Sequence, residues 1–126
     1  MAWAGAFGVS GVRAEPTVVA GGSIPLAGGI LPIATPGHTA GHCAYLLEER
    51  GILLTGDALV TLDPYTGRTG PRVVARAATA RSDEALASLS LLAETDARLV
   101  LPGHGEAWED GGIGPAVTVA RARGVD

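Results

Sequence analysis

From residue 30 onward, short apolar runs alternate with polar or bending residues. Ile30 to Ala34 is apolar and is ended by Thr35-Pro36-Gly37. Cys43-Ala44-Tyr45-Leu46-Leu47 is a second run, closed by the charged turn Glu48-Glu49-Arg50-Gly51. Ile52-Leu53-Leu54-Thr55 is a third, ended by Gly56, and Arg98-Leu99-Val100-Leu101 is a fourth, stopped by Pro102-Gly103. Length and flanking breakers favour buried strands over helix turns for all four. Ser82 to Thr95 is the strongest helix. Leu86, Leu89 and Ala93, flanked by Leu92, make one apolar stripe. Ser82 is placed to cap it, and Asp83 and Glu84 complement the positive end of its dipole. Gly112 to Arg123 reads as a final amphipathic helix with Pro115 near its first turn. Strands separated by a helix predict a layered α/β domain.

Between these elements the pattern is weaker. Thr61 to Arg72 is rich in Gly, Pro, Thr and Asp and reads as a long loop, a feature that compact domains keep mainly where it serves a site. Val73 to Ala80 fits neither period. The first 29 residues carry two apolar patches, Val18-Val19-Ala20 and Ile24-Pro25-Leu26, among glycines and alanines; edge strands and an arm are both open. The expected organisation is therefore an N-terminal segment, 1–29, followed by one folded unit, 30–126.

Composition narrows the class. A chain of 126 residues makes one domain, able to bury roughly two-thirds of its unfolded surface. An apolar fraction of 47% and a mean hydropathy of +0.30 exclude disorder as a description of the whole. A net charge of −4 and a pI near 5.2 argue against a nucleic-acid or anionic-membrane partner, since either would want a basic face. The single cysteine, Cys43, has no internal disulfide partner and sits mid-strand as a core residue, which suits a reducing cytoplasm. The first positive side chain is Arg13, so the start makes a poor secretory signal, and no apolar run approaches the roughly 18 residues of a membrane span. The GxSxG elbow, GxxxxGK[ST] loop and GxGxxG fingerprint are all lacking.

The informative pattern occurs three times: an apolar strand ends in glycine, and the next residue is a metal-competent side chain. Ile30–Ala34 leads to Pro36-Gly37-His38, Ile52–Thr55 to Gly56-Asp57, and Arg98–Leu101 to Pro102-Gly103-His104. Glycine there allows a positive φ and a sharp change of direction that lifts the next side chain off the strand end. Layered α/β folds place their sites at such an edge. Two imidazoles and one carboxylate suit a borderline cation such as zinc. A lone histidine after Pro-Gly is usually a turn residue, and an aspartate after glycine usually closes an Asx turn. Three coincidences, using two of only three histidines, favour a site.

In order and spacing, Thr35-Pro36-Gly37-His38-Thr39-Ala40-Gly41-His42, Thr55-Gly56-Asp57 and Leu101-Pro102-Gly103-His104-Gly105 resemble the last three metal-binding motifs of the metallo-β-lactamase superfamily, glyoxalase II-like hydrolases in particular. The resemblance implies the αββα sandwich, present here as a half or truncated form. It also implies zinc, one or two ions in the family, and hydrolysis of an ester, thioester or lactone by a metal-bound hydroxide. By residue, it implies His38 as a ligand of the first ion, Asp57 as a catalytic bridge between both, His104 as a ligand of the second, and His42 as a supporting residue. The family's HxHxDH motif is missing from the sequence; residues 1–37 contain no histidine and no aspartate. Three ligands do not fill two catalytic zinc sites, which take about three protein ligands each. One half of the sandwich would also expose a face meant for burial, which predicts a homo-oligomer or a missing N-terminal half as partner. The alternative is a non-catalytic metal-binding or assembly module that keeps the scaffold. Arg68 and Arg72 are weak candidates for contacting an anionic substrate, and Trp108 reads as packing.

Overall fold

A computed structural model describes residues 29–126. The expectation of edge strands or an arm over 1–29 falls, but for Gly29, outside the described residues. The chain forms β1 (Ile30–Ala34), β2 (Cys43–Leu47), β3 (Ile52–Gly56), β4 (Val60–Leu62), β5 (Thr69–Arg72), helix α1 (Ser82–Ala93), β6 (Leu99–Pro102) and helix α2 (Ile113–Arg123). Four strands make the main sheet, in the order β1-β2-β3-β6. Strands β1 and β2 pair antiparallel, as do β2 and β3, whereas β3 and β6 are parallel. The four apolar runs thus become the four strands, within a residue at each end.

Alternation sorts the two faces. Ala44 and Leu46 of β2, Leu53 of β3 and Val100 of β6 are buried in one core with α1 and α2. Helix α2 buries Ile113, Ala116, Val117 and Ala120, one stripe at helical spacing. Pro115 is its third residue, where the missing N–H costs nothing. In α1 the buried stripe is Ala85, Ser88, Leu89 and Leu92, rotated from the one expected through Leu86 and Ala93, which are only partly buried. The polar Ser88 is inside because its hydroxyl donates to the Pro36 carbonyl at 2.7 Å. The expected Ser82 cap is not made. Arg81 occupies the cap position with no side-chain capping bond, and Ser82 is already in the first turn.

The expected long loop over Thr61–Arg72 is instead a hairpin, β4 and β5, forming a separate two-stranded sheet. Its organiser is the fully buried Asp63. Its carboxylate accepts from the Tyr65 N–H at 2.9 Å and the Ala75 N–H at 3.2 Å, while its carbonyl accepts from Gly67. Burial pushes the Asp63 carboxyl pKa upward, but the N–H groups of Tyr65, Thr66 and Ala75 and the Thr66 hydroxyl outweigh it and hold the pKa below its ordinary value. The arginines of this segment are engaged within the protein. Arg68 and Arg72 both pair with the Asp126 side chain; Arg72 is buried, whereas Arg68 is exposed. Among the described residues, no helix is long and apolar enough to cross a membrane.

Candidate functional site

The topology sends three loops to one edge. Because β1 and β3 are both antiparallel to β2, and β6 is parallel to β3, the C-terminal ends of β1, β3 and β6 lie on the same side of the sheet. Cys43, which opens β2, stands opposite Ala34, the last residue of β1, so His42 joins the same edge. Residues far apart in sequence therefore meet. The chemistry-bearing residues are those that follow the strand ends: His38, Asp57 and His104.

Each loop is held differently. The His38 loop rests on α1: its Pro36 carbonyl takes the Ser88 hydroxyl, its Gly37 carbonyl takes the Arg81 N–H at 2.8 Å, and the His38 carbonyl takes the Ala80 N–H at 3.1 Å. Gly37 has φ +137, and a Cβ there would lie 2.2 Å from the backbone nitrogen of Ala85, so only glycine admits this contact. Gly103 is required for a different reason from the expected one. Its φ is not in the left-handed region, but an added Cβ would lie 2.3 Å from Asp57 Oδ1. The His104 loop is carried by the hairpin, with the His104 carbonyl accepting from the N–H groups of Thr61 (3.0 Å) and Leu62 (3.2 Å).

At the centre lies the Asp57 carboxylate. Oδ2 is 3.3 Å from Nε2 of His38, and Oδ1 is 3.5 Å from Nε2 of His104. His42 sits behind the pair. The Asp57 N–H donates to its Nε2 at 3.1 Å, so that nitrogen carries no proton; the neutral ring then holds its proton on Nδ1, which faces the Thr35 hydroxyl at 2.8 Å. Burial lowers the His42 pKa and the neighbouring His38 adds to this, against smaller opposing effects of Asp57 and Thr35. Thr35 is buried and was not singled out from sequence; its place in the Thr35-Pro36-Gly37-His38 stretch was the one available hint. Trp108 packs partly against the core and donates its indole N–H to the Gly112 carbonyl. Nδ1 of His38 is buried with no hydrogen-bond partner among the described residues.

Two ligands on one tetrahedral zinc, each at roughly 2.0–2.1 Å, stand about 3.4 Å apart. The His38–Asp57 and His104–Asp57 separations match that distance, and imidazole plus carboxylate is a suitable donor chemistry. The number of donors is short. Among the described residues no group of three or more His, Cys, Asp or Glu side chains is placed to hold a metal ion by itself. The residues fit as two pairs that share Asp57.

A layered α/β sheet with His and Asp side chains gathered at its strand ends is the class of scaffold that builds its site along one sheet edge. The sequence profile of the metallo-beta-lactamase superfamily matches residues 5–104, and the chain belongs to that superfamily. It is similar to a metallo-beta-lactamase family protein from Thermus thermophilus, with 31% identity and a TM-score of 0.65 over 88% of this chain and 35% of that one. An archaeal superfamily protein from Sulfolobus tokodaii shares the fold at 20% identity and a TM-score of 0.59, over 81% of this chain and 38% of that one. The probable metallo-hydrolase YflN of Bacillus subtilis is 40% identical over 42 residues, 33% of this chain and 16% of that protein. The chain thus spans about a third of the length of these solved relatives. Membership supports a metallo-hydrolase-like function.

Proposed function

We propose that this chain supplies the ligand-bearing C-terminal part of a zinc-dependent hydrolase acting on an ester, thioester or lactone. The observation that supports this is the position of Asp57, whose two carboxylate oxygens each face a different imidazole. In this reading His38 and Asp57 would hold one ion, and His104 with the same Asp57 would hold a second. Zinc, when bound, would lower the pKa of a water to about 7 and polarise the substrate carbonyl. The residues themselves do the positioning. His42 and Thr35 fix the Asp57 backbone, α1 fixes His38, and the hairpin fixes His104. With three donors in hand, a complete site takes its remaining ligands from residues outside this sequence, on the same chain or on a partner. The lone cysteine suits work in a reducing cytoplasm.

Metal analysis and turnover of a thioester, ester and lactone panel test the proposal. Asp57→Asn is expected to weaken zinc retention by more than the roughly 10–100-fold that loss of a supporting partner produces, because both pairs lose their shared member. Unchanged zinc content in Asp57→Asn overturns it, as does a folded assembly carrying the remaining ligands that has neither zinc nor turnover.

A second reading, a non-catalytic assembly module, is favoured by a different observation. Leu54 and Leu101 are registered neighbours on the sheet face away from the helices, and are 38% and 37% exposed. That reading predicts a stable dimer or heteromer by light scattering, with no turnover.

A further inference from the structure

A cavity of about 400 Å³ lies one residue beyond His104, between the β4–β5 hairpin and the segment that leads to Trp108. This is within the range of roughly 300–1,000 Å³ typical of small-molecule sites. One wall is Thr61 and Leu62 of β4 with Thr69 and Gly70 of β5; the other is Ala107 and Trp108. Most of its surface is carbon. Leu62, at 37% exposure, is a large apolar side chain that the core does not need. Glu106 is the only charged residue among the described lining residues. The nearby arginines are turned to other uses: Arg123 donates to the carbonyls of Thr69 and Pro71, and Arg68 and Arg72 pair with Asp126. The wall is tied to the candidate ligand through the backbone, since Thr61 and Leu62 donate to the His104 carbonyl and the Thr61 hydroxyl donates to the Glu106 carbonyl at 2.6 Å.

We infer that this trough is the subsite for an uncharged apolar chain of the substrate, aliphatic or aryl, and that it rejects a chain ending in a carboxylate. An apolar chain gains from burial against Leu62 and Trp108. A carboxylate would lose its hydration next to Glu106, and the neighbouring Arg123 guanidinium has its NH1 donors committed to the carbonyls of Thr69 and Pro71. The role as a substrate subsite rests on the hydrolase reading; the binding preference does not.

Hexanamide, which an esterase leaves intact, is the probe for the trough, with hexanoate as its anionic counterpart. Titrated into ¹⁵N-labelled full-length chain, hexanamide is expected to shift the amides of Leu62, Gly70 and Gly105 and the Trp108 indole N–H, with hexanoate at least tenfold weaker. Ala107→Trp, which fills the trough from its exposed side, should weaken hexanamide binding at least tenfold; Leu62→Asn tests the opposite wall should the first variant fold poorly. Esters lengthened on the acyl side and on the alcohol side then show which portion of the substrate lies there, through a fall in KM. No saturable shift at these positions, or equal binding of hexanoate, overturns the inference. If hexanamide fails to bind while esters are hydrolysed, the trough is wrong and the hydrolase reading stands. If hexanamide binds and a zinc-loaded assembly carrying the full ligand set turns over no ester, the trough stands as an apolar-ligand site and the hydrolase reading falls.

Discussion

The two imidazoles that face Asp57 belong to differently built regions. His38 is 19% exposed and is carried by a loop whose carbonyls are satisfied by Ser88, Arg81 and Ala80, on or beside α1. His104 is 44% exposed and is carried by a loop hydrogen-bonded to the backbone of a two-stranded hairpin outside the main sheet. One arm is an extension of the hydrophobic core; the other hangs on a surface element braced by Asp63 and by the Arg72–Asp126 pair. Disturbing the first arm should cost global stability, whereas disturbing the second should change the site and leave most of the fold standing.

The sharpest way to break that contrast is to substitute the glycine preceding each histidine. Gly37→Ala drives a Cβ into the Ala85 backbone at a positive φ. Strain and overpacking together should destabilise the protein by about 3–5 kcal/mol in denaturant titration. Gly103→Ala meets the Asp57 carboxylate first and the Gly56 backbone next, so about 1–3 kcal/mol is expected, with a larger proportional loss of zinc retention than of stability. Equal destabilisation by the two variants would erase the distinction between the arms.

A gentler pair sharpens the same comparison. Ser88→Ala leaves the Pro36 carbonyl without its partner and should cost about 1–2 kcal/mol. Thr61→Val loses the bond to the Glu106 carbonyl and should cost about 0.5–1.5 kcal/mol, while moving the His104 resonances more than those of His38. If NMR shows both variants perturbing the same histidine, the arms are not independent.

The smallest effect expected is from pH. His42 has its pKa lowered by burial and by His38, so its neutral form is favoured in the folded state. The unfolded chain then binds more protons, and stability that is complete above the ordinary histidine value of about 6.5 is lost as pH falls through it toward the folded value. Protonation of Nε2 would also end its acceptance of the Asp57 N–H. The fall in melting temperature between about pH 8 and about pH 5.5 should be smaller in His42→Gln than in the wild type, because the window brackets the ordinary histidine value. An identical fall would show that His42 carries none of it.

Much of this molecule is legible in local sequence. The runs 30–34, 43–47, 52–55 and 98–101 announce strands because a short apolar stretch between breakers has few other ways to bury itself. His38, Asp57 and His104 were also legible, since each follows a glycine that ends, or comes shortly after, an apolar strand. The hairpin escaped because its logic is not periodic. Asp63 reaches Ala75, and Arg72 reaches Asp126, contacts that no short window contains. The trough escaped for the same reason, being walled by residues 61–70 and 105–108.

The four strands of the main sheet, their order of loops and the metal-competent side chains were determined by the sequence itself, because backbone period and chain-breaking residues act over a few positions. Tertiary structure decided the rest: that Asp57 faces both imidazoles, that Gly103 is needed for clearance where φ does not demand it, and that the arginines of the hairpin are already paired. Those facts depend on distances between segments far apart in the chain, and such distances exist only once the sheet has closed against its helices.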